Sequence, residues 1–142
     1  MTQIDFYIQA ESRLQVACTL AAKALSRGVR MMILTADGEA TEQVDRLLWT
    51  SPPIGFLPHC RAQHRLAAVT PIILDHVAEP VVHEHILVNL RDEAPPHFSR
   101  FERLMEIVTR EESDRERARA RFRFYRERGY DIRMHDLSQN PG

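Results

Sequence analysis

The chain has one lysine. Lys23 stands alone among nineteen basic residues, so arginine carries nearly all the positive charge. Cysteine is as scarce, with only Cys18 and Cys60. Neither belongs to a CxxC pair, which argues against a disulfide framework or a zinc finger. Glycine numbers five. None falls in the first strand–helix junction, YIQAESR, so that turn cannot cradle a dinucleotide pyrophosphate. GxxxxGK[ST] and GxSxG are missing too. TADGEA offers one glycine before a helix and reads as an ordinary turn. No apolar run approaches the roughly 18–20 residues of a membrane span. The start, MTQIDFYIQAESR, has acids and no basic region before an apolar stretch, unlike a signal peptide. A cytoplasmic protein is the expectation. At 142 residues and net charge −1, a single domain with its own core is expected. Any preference for anions must come from local clustering.

Seven histidines are present. His59, Cys60 and His64 lie close in sequence, as do His76, His83 and His85. Each type can bind zinc, but the usual ligand spacings are missing, so no metal is expected. His59 and Cys60 are adjacent and would point apart on a strand. They make a poor nucleophilic pair. Nothing in the sequence makes a positive case for catalytic residues, and no cofactor is expected.

What is present is alternation of two periods. Ile4, Phe6 and Ile8 alternate with Asp5, Tyr7 and Gln9, as in a strand. Leu14, Ala17, Cys18, Ala21, Ala22 and Leu25 then form a helical stripe, with Ser12 suited to cap it and Gly28 to end it. VRMMILT (29–35) predicts a strand buried on both faces. DGEATEQVDRLLWT returns to helical spacing. PIILD (71–75), EHILVNL (84–90), RLMEIV (103–108) and YDIRMHDL predict further strands, and PPHFSRF a short helix opened by its prolines. The pattern indicates an α/β layer fold with a largely parallel sheet flanked by helices, spanning 1–137, and a frayed tail at 138–142.

LLWTSPPIGFLPH (47–59) holds large apolar groups on a proline-stiffened path. Trp49 and Phe56 could lid the core. They could equally form a partner-binding patch, since tryptophan is enriched at interface hot spots and a stiff loop loses little entropy on binding.

RERARARFRFYRERGY (115–130) is the densest signal. Ser113 and Glu116 have capping-box spacing, acids precede and arginines close the segment, and Gly129 is the expected stop. A helix over 113–128 follows. On its wheel Arg115, Arg126, Arg119 and Arg123 fall at about 0, 20, 40 and 80°, bordered by Phe122, Ala118 and Tyr125 at about 340, 300 and 280°. Like charges four residues apart repel by a few tenths of a kcal/mol per pair, which an anionic partner would offset. Single-stranded nucleic acid could use the aromatics for stacking. A peptide with acids and a terminal apolar residue instead needs one small pocket flanked by guanidinium groups, the surface this wheel describes.

With Trp49–His59 and Ser113–Tyr130 both in view, the chain resembles the chi subunit family of bacterial DNA polymerase III holoenzyme. IDFYI, GVRMMILTAD, LLWTSPPIGFLPH, HILVNL, FERLMEIV and ARARFRFYRERGY carry the resemblance nearly end to end. It implies a Rossmann-like α/β domain without enzymatic activity, an accessory to the clamp loader. It implies two surfaces. One binds the psi subunit as a heterodimer, through Trp49, Phe56, Leu57, Pro58 and His59. The other binds the acidic C-terminal tail of single-stranded-DNA-binding protein, which ends in phenylalanine. There Arg115, Arg119, Arg123 and Arg126 would surround Phe122, with Val108 and Tyr130 closing the pocket. Direct binding of single-stranded nucleic acid by the arginine helix is the alternative.

Overall fold

The alternation that begins at Ile4 is realised as β1, Gln3–Ala10, in a computed structural model that describes residues 1–50 and 57–138. The chain continues through α1 (Arg13–Ser26), β2 (Met31–Leu34), α2 (Gly38–Thr50), β3 (His59–Cys60), β4 (Ile72–Asp75), β5 (Ile86–Asn89), β6 (Arg103–Thr109), α3 (Glu112–Glu127) and β7 (Ile132–Asp136). Among the described residues, seven strands form one sheet in the order β3-β4-β2-β5-β6-β1-β7. Every pairing is parallel. The expected α/β fold is therefore present, with its sheet wholly parallel among the described residues.

Strand periodicity divides the core in two. Met31, Ile33, Ile72, Leu74, Ile86 and Val88 pack on one face with Ala17, Ala21 and Val44 of α1 and α2. Met32, Leu34, Ile73 and Leu87 point the other way, into the cluster that holds Ala118 and Tyr125 of α3. Both faces are covered, which is why these short strands read as continuous apolar runs. β7 closes one edge of the sheet with Arg133 and Met134 exposed.

The helix ends follow local chemistry. Ser12 Oγ accepts from the Gln15 amide at 3.3 Å. Gly28 and Gly129 take φ of +69° and +83°, which lets Val29 and Tyr130 donate back to Ala24 and Tyr125 and close each helix. The start of α3 departs from expectation. Glu111, not Ser113, is the cap residue, and it makes no side-chain cap bond. Asp114 turns back instead and accepts from the Thr109 amide at 2.8 Å and hydroxyl at 3.0 Å. A buried carboxylate closing the β6–α3 turn outweighs the local capping signature. PPHFSRF yields only a three-residue 3₁₀ turn, Phe98–Arg100, entered through His97 in the left-handed region rather than from a proline. The two-residue β3 has no periodic signature of its own and was not foreseen.

Candidate functional site

β1 and β6 are neighbours, yet their chains leave in opposite directions, β1 into α1 on one face and β6 into α3 on the other. Such a topological switch point opens a crevice at the carboxyl ends of the strands. A cleft of about 310 Å³ lies there, lined by Phe6, Ile8, Gln9, Val108, Thr109, Arg115, Ala118, Arg119, Phe122 and Met134. Its size is at the small end for ligand pockets. Phe6, Val108 and Ala118 are buried, and the Phe122 ring meets Phe6 edge-on at 5.7 Å and 64°. Arg115 and Arg119 are half exposed. The arrangement is an apolar slot flanked by two guanidinium groups.

The orientation of α3 decides which arginines reach the slot. Its buried residues are Asp114, Ala118, Arg121 and Tyr125, one stripe at helical spacing. Arg121 was missed on the wheel as a core residue. It is 3% exposed and its Nε donates to Glu106 Oε1 at 3.1 Å, while Glu106 itself is 0% exposed. An isolated buried charge is costly, so the pair depends on the neighbouring groups that bond to it, although Arg121 Nη2 has no hydrogen-bond partner among the described residues. Tyr125 OH donates to Glu106 Oε2 at 2.6 Å, Asn89 Nδ2 donates to both oxygens at 3.1–3.2 Å, and Arg121 Nη1 donates to the Asp92 carbonyl at 2.6 Å. Burial pushes the Glu106 carboxyl up, against the pull of Arg121, Tyr125 and Asn89. Burial and the adjacent Glu106 push the Tyr125 hydroxyl up as well. This network pins α3 against β5 and β6, so that Arg115, Arg119 and Phe122 border the cleft.

Of the residues expected at this pocket, Val108, Arg115, Arg119 and Phe122 come together. Arg123 and Arg126 are exposed and do not line the cleft. Tyr130 does not line it either; its ring packs on Phe98 at 5.4 Å. Phe6, Ile8, Gln9 and Met134 line it without having been singled out. Only the strand pattern of Phe6 and Ile8 could have pointed to them.

The second expected surface lies by β3, at the other edge of the sheet. Trp49, in the last turn of α2, is 54% exposed and meets the His59 ring edge-on at 5.7 Å. His59 Nε2 lies 2.7 Å from Asp45 Oδ1, and Nδ1 lies 2.6 Å from the Leu57 carbonyl. Leu57 is fully buried and its amide donates to the Leu48 carbonyl at 2.8 Å, so Leu57 anchors the segment from within and presents no surface. Pro58 is half buried, and Phe56 lies outside the described residues. Trp49 is thus not the lid of the core; Leu57 fills that position. The His83 and His85 rings meet edge-on, 5.5 Å apart. Among the described residues no group of three or more His, Cys, Asp or Glu side chains could hold a metal ion.

The family model described as DNA polymerase III chi subunit, HolC, matches residues 1–133. The chain belongs to the DNA polymerase III chi subunit family. It is 38% identical to the DNA polymerase III subunit chi of Pseudomonas aeruginosa over 141 residues, 96% of this chain and 98% of that protein. Its identity to the subunit chi of Haemophilus influenzae is 25% over 133 residues, covering 90% and 92% of the two chains. For the Escherichia coli subunit the values are 27% over 122 residues, 83% and 81%. In this chi-family chain the switch-point crevice is thus framed by arginine and apolar side chains rather than by a glycine-rich phosphate loop.

Proposed function

We propose that this chain is a noncatalytic accessory subunit of DNA polymerase III that links the replicase to single-stranded-DNA-binding protein. The β3-side surface around Trp49 joins a psi-like subunit of the clamp loader. The switch-point cleft takes the acidic C-terminal tail of single-stranded-DNA-binding protein. One observation carries the reading: Arg115 and Arg119 stand over an apolar slot floored by Phe6, Val108 and Phe122. A terminal phenylalanine can bury its ring there, for roughly 1.5–3 kcal/mol. Its carboxylate can take a charge-assisted bond from an arginine, about 1.5–3 kcal/mol more. Association costs offset much of that sum, which leaves an affinity near the micromolar range.

The alternative, a platform for single-stranded nucleic acid, needs free aromatic faces. Tyr125 is fully buried, Phe122 packs on Phe6, and the Phe124 ring is covered by the Arg128 guanidinium at 3.5 Å. These contacts favour the peptide. Calorimetric titration of the chain with the acidic tail, the tail lacking its last phenylalanine and an oligonucleotide separates the two. The full tail should bind well above both others. Equal binding of both peptides, or tighter binding of the oligonucleotide, would remove the adaptor reading.

A further inference from the structure

The β1–β6 ladder runs residue against residue up to Tyr7–Ile107, then resumes at Ala10–Thr109. Ile8 and Gln9 therefore stand opposite Val108 alone, a β-bulge whose three residues all line the cleft. Bulges commonly re-aim a side chain beside a functional site. Gln9 has φ of +63°, in the left-handed region that glycine, asparagine and aspartate tolerate better. A half-buried glutamine held there carries backbone strain, and such strain tends to persist where a site needs the geometry.

Its side chain gives no structural return. Among the described residues the Gln9 carboxamide has no hydrogen-bond partner, whereas Gln3 on the same strand bonds Asp5. Gln9 also borders the groove on the other side of β1, beside Tyr7 and Val16, so it forms the ridge between the two hollows. A peptide whose terminal ring fills the cleft must lead its backbone out over a rim. An amide, which donates and accepts, matches the alternating N–H and C=O of that backbone. We infer that Gln9 is a ligand-reading residue of the cleft, hydrogen-bonding the main chain of the bound peptide next to its terminal residue. This inference rests on the proposed tail-binding function and adds to it a contact with the neutral peptide main chain, beyond the attraction of the arginines for acidic groups.

Two variants test it. Gln9→Met keeps the length and removes the amide; Gln9→Gly removes the amide and relieves the backbone. Each is measured for thermal stability and for binding of the acidic tail, with wild type and Arg119→Ala alongside. Both should bind the tail roughly 3- to 10-fold more weakly, with Gln9→Met melting as wild type does and Gln9→Gly no lower. Wild-type affinity in Gln9→Met would overturn the inference while leaving the tail-binding function standing. Loss of stability in both variants would overturn it too, because Gln9 would then be structural. Failure of the wild-type protein to bind the tail would remove the function and the inference together.

Discussion

Glu112 Oε1 lies 2.8 Å from Arg119 Nη2, and its second oxygen lies 3.7 Å from Arg115 Nη1. The two arginines that flank the cleft are thus bridged by a carboxylate from the first turn of their own helix. Arg119, and then Arg115, hold the Glu112 carboxyl below its usual range. On the proposed tail-binding function, an incoming acidic peptide would have to displace that bridge. All three side chains are about half exposed or more, and exposed pairs of this kind are weak. Glu112→Gln should therefore tighten the acidic tail by about two- to five-fold at low salt. Glu111→Gln removes the same charge one residue away without touching the bridge. Titration of both variants checks the point, and an equal gain from each would mean only general electrostatics.

Arg121 and Glu106 make the opposite kind of pair, fully enclosed. Arg121→Met leaves a buried carboxyl without its cation and should cost roughly 3–5 kcal/mol of unfolding free energy. Adding Glu106→Leu should recover part of that loss, though Asn89 and Tyr125 then lack their acceptor. Urea denaturation of the single and double variants measures both. A double variant less stable than Arg121→Met would show that Glu106 is held by its neutral partners rather than by Arg121.

These two pairs mark what the sequence discloses. Helical spacing alone puts Arg115 and Arg119 on one stripe beside Phe122, because that stripe is set within one element. Arg121 has the same chemistry but a partner on β6, fifteen residues away in the chain. No local pattern distinguishes a buried arginine from a solvated one. The bulge at Ile8–Gln9 was hidden for a related reason. Ile4, Phe6 and Ile8 keep perfect alternation, and the ladder slips only past Tyr7, where Ile8 and Gln9 meet Val108 of β6. Ser113 and Glu116 have the spacing of a cap, yet Asp114 is drawn to Thr109 across the turn. Element order and sheet class follow from periodicity; rims, caps and buried pairs follow from contacts between elements.

His83 gives the fold an acid limit. Burial first, and then Arg30 nearby, push its imidazole from the usual 6.5 to about 4. The neighbouring His85 acts in the same direction. The unfolded chain therefore binds a proton that the folded chain refuses between those values. Stability rises with pH across that window, is fully present above about 6.5 and is lost as pH falls toward 4. The contribution is at most roughly 3 kcal/mol. His83→Phe should flatten the melting temperature between pH 6.5 and pH 4. An unchanged slope would assign the acid loss to other groups.

Trp49 and His59 sit by β3, at one end of the strand order; the cleft sits against β1 and β7 at the other. Five strand spacings separate β3 from β1, about 24 Å at the usual interval. Sites that far apart, with no shared residue, act almost independently. Trp49→Ala should weaken binding of a co-purified psi-like subunit by at least about 30-fold, the loss typical of a hot-spot tryptophan, and leave binding of the acidic tail unaffected. Arg119→Ala should do the reverse. The double variant should show each loss at its single-variant size, within about 0.5 kcal/mol. Because Trp49 is half exposed, its removal should leave the melting temperature nearly unchanged, and Leu57→Ala, which empties a core position, should lower stability by roughly 2–5 kcal/mol. Size-exclusion chromatography with the psi-like subunit and calorimetry with the tail read the two interactions separately. If Trp49→Ala abolishes both while the domain still melts as wild type does, the surfaces are coupled and the two-ended adaptor is wrong.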